Sequence, residues 1–291
     1  MSAPVDAGQA AIDATLLDRA FAALPMLGPR TGWQCTPMTG GIANRSWRIE
    51  APGGRMVLRV PIQDTADLGV DRAGERAAVE AATAAGIAPP LIYFDAASGL
   101  MLSEFVAGRT WTHADAHDPK CLERLGARLK LLHALAPPAD ARRLAYAELI
   151  PQYRERRDER AAPQPASSGR FDTEADRRLK ATAKAQIPGV LCHNDVHRRN
   201  LIDGKSLWLV DWEYAAVGDG LYDLASFACY HDIDAAERRI LVTAYEARGT
   251  RQLTAALADY GWLFDYLHLL WLELTATDPA GQARLLERLG A

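Results

Sequence analysis

The sequence predicts an α+β protein of two lobes: an antiparallel sheet with one inserted helix, followed by a mostly helical half. Three observations carry this. Short alternating apolar runs fill the first third of the chain, separated by Gly- and Pro-rich turns. From Pro119 onward the apolar spacing is helical. A length of 291 residues is enough for one large core or for two lobes that share an interface.

Leu16, Leu17, Ala20, Phe21 and Leu24 predict a short helix over Thr15–Leu27. Trp33–Met38 reads as a strand and Thr39-Gly40-Gly41 as a turn. In Ser46–Ala51, Trp47 and Ile49 share one face, while Ser46, Arg48 and Glu50 share the other. Pro52-Gly53-Gly54 turns the chain into a third strand, where Met56, Leu58 and Val60 share a face and Arg59 points away. An Ala- and Glu-rich helix is expected over Asp71–Ala85, capped by Gly86. Strands over Leu91–Phe94 and Leu100–Val106, joined at Ala97-Ser98-Gly99, complete a first lobe of residues 1–106. The second lobe, residues 107–291, opens with a helix that places Leu122, Leu125, Leu129 and Leu132 on one face. A Pro/Ser/Ala-rich loop is expected over Ala161–Gly169. Two short apolar runs follow, Val190–Cys192 and Leu207–Val210, each beside a polar cluster, and helices fill the rest.

Composition narrows the function classes. The formal net charge is -4 and no long basic run occurs, which disfavours nucleic acid as a partner. No apolar stretch approaches the ~20 residues needed to cross a bilayer. The first residues lack the basic start and apolar core of a secretory signal. Four widely spaced cysteines, with no Cys-x-x-Cys pair, read as reduced thiols in a cytoplasmic protein. Oligomeric state is not legible.

The chemistry concentrates in His193-Asn194-Asp195-Val196-His197-Arg198-Arg199-Asn200, then Leu207-Trp208-Leu209-Val210-Asp211. A loop presents Asp195 and Asn200, and a short strand then delivers Asp211. Singly, each is a common turn residue. In this order, between apolar runs, they match what phosphoryl transfer from ATP requires. One carboxylate orients the attacking hydroxyl and accepts its proton. A second carboxylate and an amide oxygen hold Mg²⁺ against the phosphates. His193-x-Asp195-x-His197 also admits a metal-hydrolase reading, but the remaining histidines form no second motif.

This pattern resembles the catalytic loop and metal-binding Asp of the aminoglycoside phosphotransferase and choline kinase superfamily, two-lobed relatives of protein kinases, over most of the chain from about Trp33. The resemblance implies a protein kinase-like fold, Asp195 as catalytic base, and Asn200 and Asp211 as Mg²⁺ ligands. It places the ATP phosphates on the Gly40-Gly41 turn with Asn44 and on the cation Arg59. Glu75 is the expected ion-pair partner of Arg59, with Glu80 as competitor. Glu104 and Val106 fall where a kinase joins its lobes and meets adenine through backbone groups. Asp223 matches a family Asp that braces the catalytic loop, its rival reading being a helix N-cap. The Gly of the protein-kinase Asp-Phe-Gly is absent, since Trp212-Glu213-Tyr214 follow Asp211.

Asp211-Trp212-Glu213-Tyr214 resembles the choline and ethanolamine kinase pattern and the bacterial thiamine kinase pattern. Choline and thiamine are permanent cations bearing a primary alcohol, for which a site needs carboxylates and aromatic faces. Glu213, Tyr214, Trp262, Tyr266 and Trp271 are the candidates, although the last three sit in an apolar helical stretch where aromatics usually form core. An aminoglycoside-type phosphotransferase is the alternative, weakened by the largely apolar C-terminal region.

Overall fold

The computed structural model describes residues 7–38, 44–62, 70–160, 167–246, 250–275 and 278–290. Helix α1 (Ala7–Ala23) starts earlier than the spacing predicts and stops short of Leu27. Pro25 explains the stop: it biases the preceding residue away from the α region, and Leu24 lies at φ -121°, ψ 67°. Strands β1 (Gln34–Met38), β2 (Asn44–Ala51) and β3 (Gly54–Pro61) precede α2 (Arg72–Ala84). Strands β4 (Leu91–Phe94) and β5 (Met101–Glu104) follow, the latter shorter than the expected Leu100–Val106.

These strands form one antiparallel sheet in the order β1-β2-β3-β5-β4. Pro37 is tolerated because β1 is an edge strand. The predicted alternation holds: Trp47, Ile49, Leu58 and Leu102 are buried and pack with Leu17 and Phe21 of α1 and with Leu24 just after it. Arg59 points to the opposite face. Asp71 caps α2 by accepting the N–H groups of Ala73 and Gly74 at 3.1 and 3.2 Å. At the other end Gly86 takes φ 66°, the left-handed turn expected of it.

The second half contains β6 (Gly108–Thr110), α3 (His113–Ala116), α4 (Pro119–His133), α5 (Tyr146–Arg160) and α6 (Asp172–Thr182). It continues with β7 (Pro188–Cys192), β8 (Leu201–Gly204), β9 (Leu207–Leu209) and β10 (Ala216–Asp219). Helices α7 (Leu221–Tyr230), α8 (Ala235–Tyr245), α9 (Thr250–Thr275) and α10 (Pro279–Gly290) close the chain. Leu122, Leu125, Leu129 and Leu132 of α4 are all fully buried. The main apolar cluster crosses residue 106: Val79, Ile87 and Phe94 pack in the same core as Leu191 and Leu209. The Leu209 N–H also donates to the Ile87 carbonyl at 3.0 Å. Of the expected 161–169 loop, 161–166 lie outside the described residues, while Ser167–Phe171 form a 3-10 helix. That turn is packed rather than loose, because Ser168 is buried and accepts Arg157 Nη1 at 3.2 Å. Among the described residues, no helix is long and apolar enough to cross a membrane.

The sheet pair β7–β10 and the hairpin β8–β9 hold the loop of residues 193–200 between them. Its entry is gripped by Asp223, in the first turn of α7 and fully buried. One Asp223 carboxylate oxygen accepts the His193 N–H at 2.8 Å, and the other accepts the Asn194 N–H at 2.7 Å. His133 Nε2 donates to the same carboxylate at 3.0 Å, and His133 Nδ1 meets the Tyr245 hydroxyl at 2.8 Å. Asp223→Ala should therefore leave three buried donors without an acceptor and destabilise the fold by about 3 kcal/mol or more. Urea unfolding checks this, and an unchanged midpoint would mean that water replaces the carboxylate.

Candidate active site

Asn194 bends the loop. It takes φ 63°, a left-handed conformation that Asn tolerates better than most residues. Its side chain is tied at both ends, accepting the Tyr146 hydroxyl at 2.6 Å and donating to the Tyr214 carbonyl at 3.0 Å. His193 is buried and donates from Nε2 to the Val210 carbonyl at 2.9 Å. A carbonyl can only accept, so Nε2 carries the proton, and burial lowers the tendency of this ring to charge. That bond joins the loop to the residue before Asp211.

The bend brings Asp195 beside Asn200. Asn200 Nδ2 donates to both the Asp195 backbone carbonyl and its Oδ2, each at 3.0 Å. With its amide nitrogen committed, Asn200 keeps its side-chain oxygen for another partner. Tyr230 donates its hydroxyl to Asp195 Oδ1 at 3.1 Å, and His197 Nε2 lies 3.5 Å from Oδ2. Burial pushes the Asp195 carboxyl up, but His197, His193 and Tyr230 outweigh it and leave the group below its ordinary value. Asp195 is therefore ionised at neutral pH, the state a proton acceptor needs.

Asp211 takes φ 67° and is raised. Burial is the main cause, Arg59 pulls the other way, and the Asp195 carboxylate adds to the rise. The two carboxylates, next to the side-chain oxygen of Asn200, form a set of hard oxygen donors.

Across from them stands Arg59, buried on β3. It pairs through Nη1 with Glu75 of α2 and donates from Nη2 to the Gly99 carbonyl at 3.3 Å. Glu80, the competitor, is paired instead with Arg76 on the exposed side of the helix at 2.8 Å. Glu75 also receives Arg72 at 2.7 Å. Burial opposes the charge on Arg59, but Glu75, then Asp211 and Glu213, more than offset it. Among the described residues its Nε is buried with no partner, a donor left for an anion.

Glu213, expected among the substrate-site residues, accepts Asn44 Nδ2 at 2.9 Å and lies 3.9 Å from Arg72, on the side of the sheet. Burial and then Asp211 push its carboxyl up to about 7. Asn44 thus ties the start of β2 to the residues after Asp211. Gly40 and Gly41 lie outside the described residues. Glu104 donates its N–H to the Pro90 carbonyl at 2.9 Å, and its side chain is exposed. Val106 follows half-buried.

The aromatic candidates divide. Tyr214 is half-buried, its phenol raised by burial and by the charges of Glu213 and Asp195, which places it near the loop. Tyr266 is fully buried, with its hydroxyl between Asp172 and Arg154, both at 2.7 Å. Trp262 stacks on Tyr266 at 5.7 Å and donates to the Leu289 carbonyl at 3.3 Å. Both belong to the α5–α6–α10 side of α9, not to Asp195. The opposite stripe of α9 instead brings Phe264 and His268 to Tyr230, with ring centroids 5.2 and 5.9 Å away. Trp271 continues that stripe, 6.2 Å from His268. Sequence reading missed Tyr230, Phe264, His268 and Tyr146. The spacing of 264, 268 and 271 on one helical face was the available signal.

The metal-hydrolase cluster is not assembled: among the described residues, His193, Asp195 and His197 do not bring three potential ligand atoms close together. Among the described residues, the one group of three potential ligands close together is His133, Cys192 and Asp223. There His133 and Asp223 are already bonded to each other and to the loop backbone.

The phosphotransferase enzyme family matches residues 34–285. A protein named "Probable choline kinase 2" from Arabidopsis thaliana is 24% identical over 209 residues, 67% of this chain and 58% of that protein. The chain thus spans little more than half the length of that relative. A choline/ethanolamine kinase family protein from Mesorhizobium loti superimposes with a TM-score of 0.75 at 26% identity, covering 94% of each chain. Choline kinase LicA from Streptococcus pneumoniae gives a TM-score of 0.78 at 18% identity, covering 95% of this chain and 98% of that one. With Asp195, Asn200 and Asp211 brought together opposite a buried Arg–Glu pair on an α+β scaffold, and with the family matching over most of its length, this chain belongs to the phosphotransferase enzyme family.

Proposed function

We propose that the protein transfers the γ-phosphoryl group of ATP to the hydroxyl of a small-molecule alcohol, and that the alcohol is a cation of the choline type. The observation that carries the phosphotransfer reading is the convergence of Asp195, Asn200 and Asp211 opposite the Arg59–Glu75 pair. The donor set fits Mg²⁺: Asn200 and Asp211 would hold it, and it would neutralise phosphate charge. Arg59, kept charged and oriented by Glu75, supplies a planar cation to the phosphate oxygens. Asp195 orients the acceptor hydroxyl and takes its proton as the alcohol oxygen bonds to the γ-phosphorus. The bond from that phosphorus to the bridging oxygen breaks, and ADP leaves with the electron pair.

The cationic reading rests on two supports. The relatives at 24 and 26% identity carry choline kinase or choline/ethanolamine kinase names. Around Asp195, the rings of Tyr230, Phe264 and Tyr214 offer aromatic faces to a group that cannot donate hydrogen bonds. Thiamine, also a permanent cation, and ethanolamine, whose ammonium can donate hydrogen bonds, rank after choline.

Three outcomes are expected. Asp195→Asn should fold and lose about 10²–10⁴-fold in turnover; near-parental turnover would remove Asp195 from the chemistry. In calorimetric titrations Asp211→Ala should lose Mg²⁺-dependent ATP binding, and parental binding would refute its role as ligand. Exchanging choline for its neutral isostere 3,3-dimethylbutanol should lower kcat/KM about tenfold or more, the size of one or two desolvated cation–π contacts. Equal efficiency would refute the cationic reading and leave phosphotransfer standing.

A further inference from the structure

Both oxygens of Asp195 are already engaged. Oδ2 receives Asn200 Nδ2 at 3.0 Å and faces His197 Nε2 at 3.5 Å. His197 Nδ1 accepts the Arg199 N–H at 3.2 Å, so the proton of a neutral ring sits on Nε2 and points at the carboxylate. Oδ1 receives the Tyr230 hydroxyl at 3.1 Å. Tyr230 ends α7, is 38% exposed as a residue, and sets its hydroxyl directly on Asp195. Its ring is steadied edge-on by His197, perpendicular at 5.3 Å, and from α9 by Phe264 and His268 at 5.2 and 5.9 Å. A hydroxyl of the protein itself therefore stands where an acceptor hydroxyl must address the base.

We propose that Tyr230 couples ATP use to the acceptor: its hydroxyl covers Asp195 Oδ1 until a bound alcohol takes that place, which denies the base to water. The inference rests on the reading of Asp195 as general base. Water and alcohol would react alike here. In the wasteful reaction a water oxygen bonds to the γ-phosphorus and the bond to the bridging oxygen breaks. ADP departs with the electron pair, and one water proton passes to Asp195. In the productive reaction the alcohol oxygen takes the part of the water oxygen. The difference lies in displacing Tyr230. Water brings no contacts to offset the lost phenol–carboxylate bond, whereas an alcohol brings its carbon frame against Tyr230, Phe264 and His268. Binding energy remote from the reacting atom then drives the exchange.

Tyr230→Phe removes the oxygen and keeps the ring and its packing. With Mg²⁺ and ATP but no acceptor, phosphate release by this variant should rise about tenfold, the size commonly carried by one hydrogen bond to a charged group. With choline present, ADP formed per phosphocholine should climb above the parental ratio. Hydrolysis equal to or below the parental rate overturns the proposal. So does a fall in transfer with an unchanged ratio, which would make Tyr230 a substrate-positioning residue only. Adding Asp195→Asn to Tyr230→Phe should erase the gain; a gain that survives shows water using another route and also overturns it. The hydrolysis arm needs no acceptor, so it stands whichever alcohol is the substrate. Asp195→Asn alone tests the base reading separately, and full transfer in that variant would sink both.

Discussion

The site depends on one buried carboxylate that stands behind the loop. Asp223 holds two consecutive backbone N–H groups, of His193 and Asn194, and so fixes the direction in which the chain leaves β7. Leaving two adjacent peptide donors unpaired inside a core would cost about 1–3 kcal/mol each, so the loop has little freedom to detach. Behind Asp223, His133 of α4 and Tyr245 of α8 extend the chain of hydrogen bonds into the helical core. The close helix packing there leaves no room for error: a Cβ on Gly220, just before α7, would lie 2.6 Å from His133 Nδ1. Asn194 can then occupy its left-handed conformation because Asp223, Tyr146 and Tyr214 together over-determine it. Asp195 is the next residue, and it inherits that precision.

Much of the scaffold was legible in the sequence because each sheet strand has one buried face, so its period-two pattern survives in the residues. Trp47, Ile49 and Leu58 announced their faces, as did the leucines of α4 at helical spacing. The Asp–Asn spacing of the loop and the Asp after an apolar strand were visible for the same kind of reason: they are short-range patterns. What was hidden is long-range. The length of α1 was misjudged because its first two turns are rich in Ala, which favours a helix but leaves no apolar stripe to read. Glu213 directly follows Trp212 in sequence, yet its partner Asn44 lies 169 positions away, and no local pattern reports that. Tyr266 and Trp262 look like any other aromatics on an apolar helix. Only the packing of α9 decides which of its faces meets Tyr230 and which meets Arg154 and Asp172.

Charge balance connects the two halves. Around the gap between sheet and loop stand the carboxylates of Glu75, Asp195, Asp211 and Glu213, with the guanidiniums of Arg59 and Arg72 against them. Glu75 is matched twice, by Arg59 and by Arg72. Glu213 has an amide and a more distant cation at 3.9 Å, and Asp211 has Arg59 only as a neighbouring charge. The upward shifts of Asp211 and Glu213 are the consequence: burial without full pairing. An anionic nucleotide approaching this gap would meet repulsion from those groups and attraction from Arg59. On the phosphotransfer reading, a divalent cation reverses the balance at the two positions where the protein leaves charge uncompensated. The arrangement then favours nucleotide and cation arriving as one complex, since the nucleotide alone meets an acidic loop.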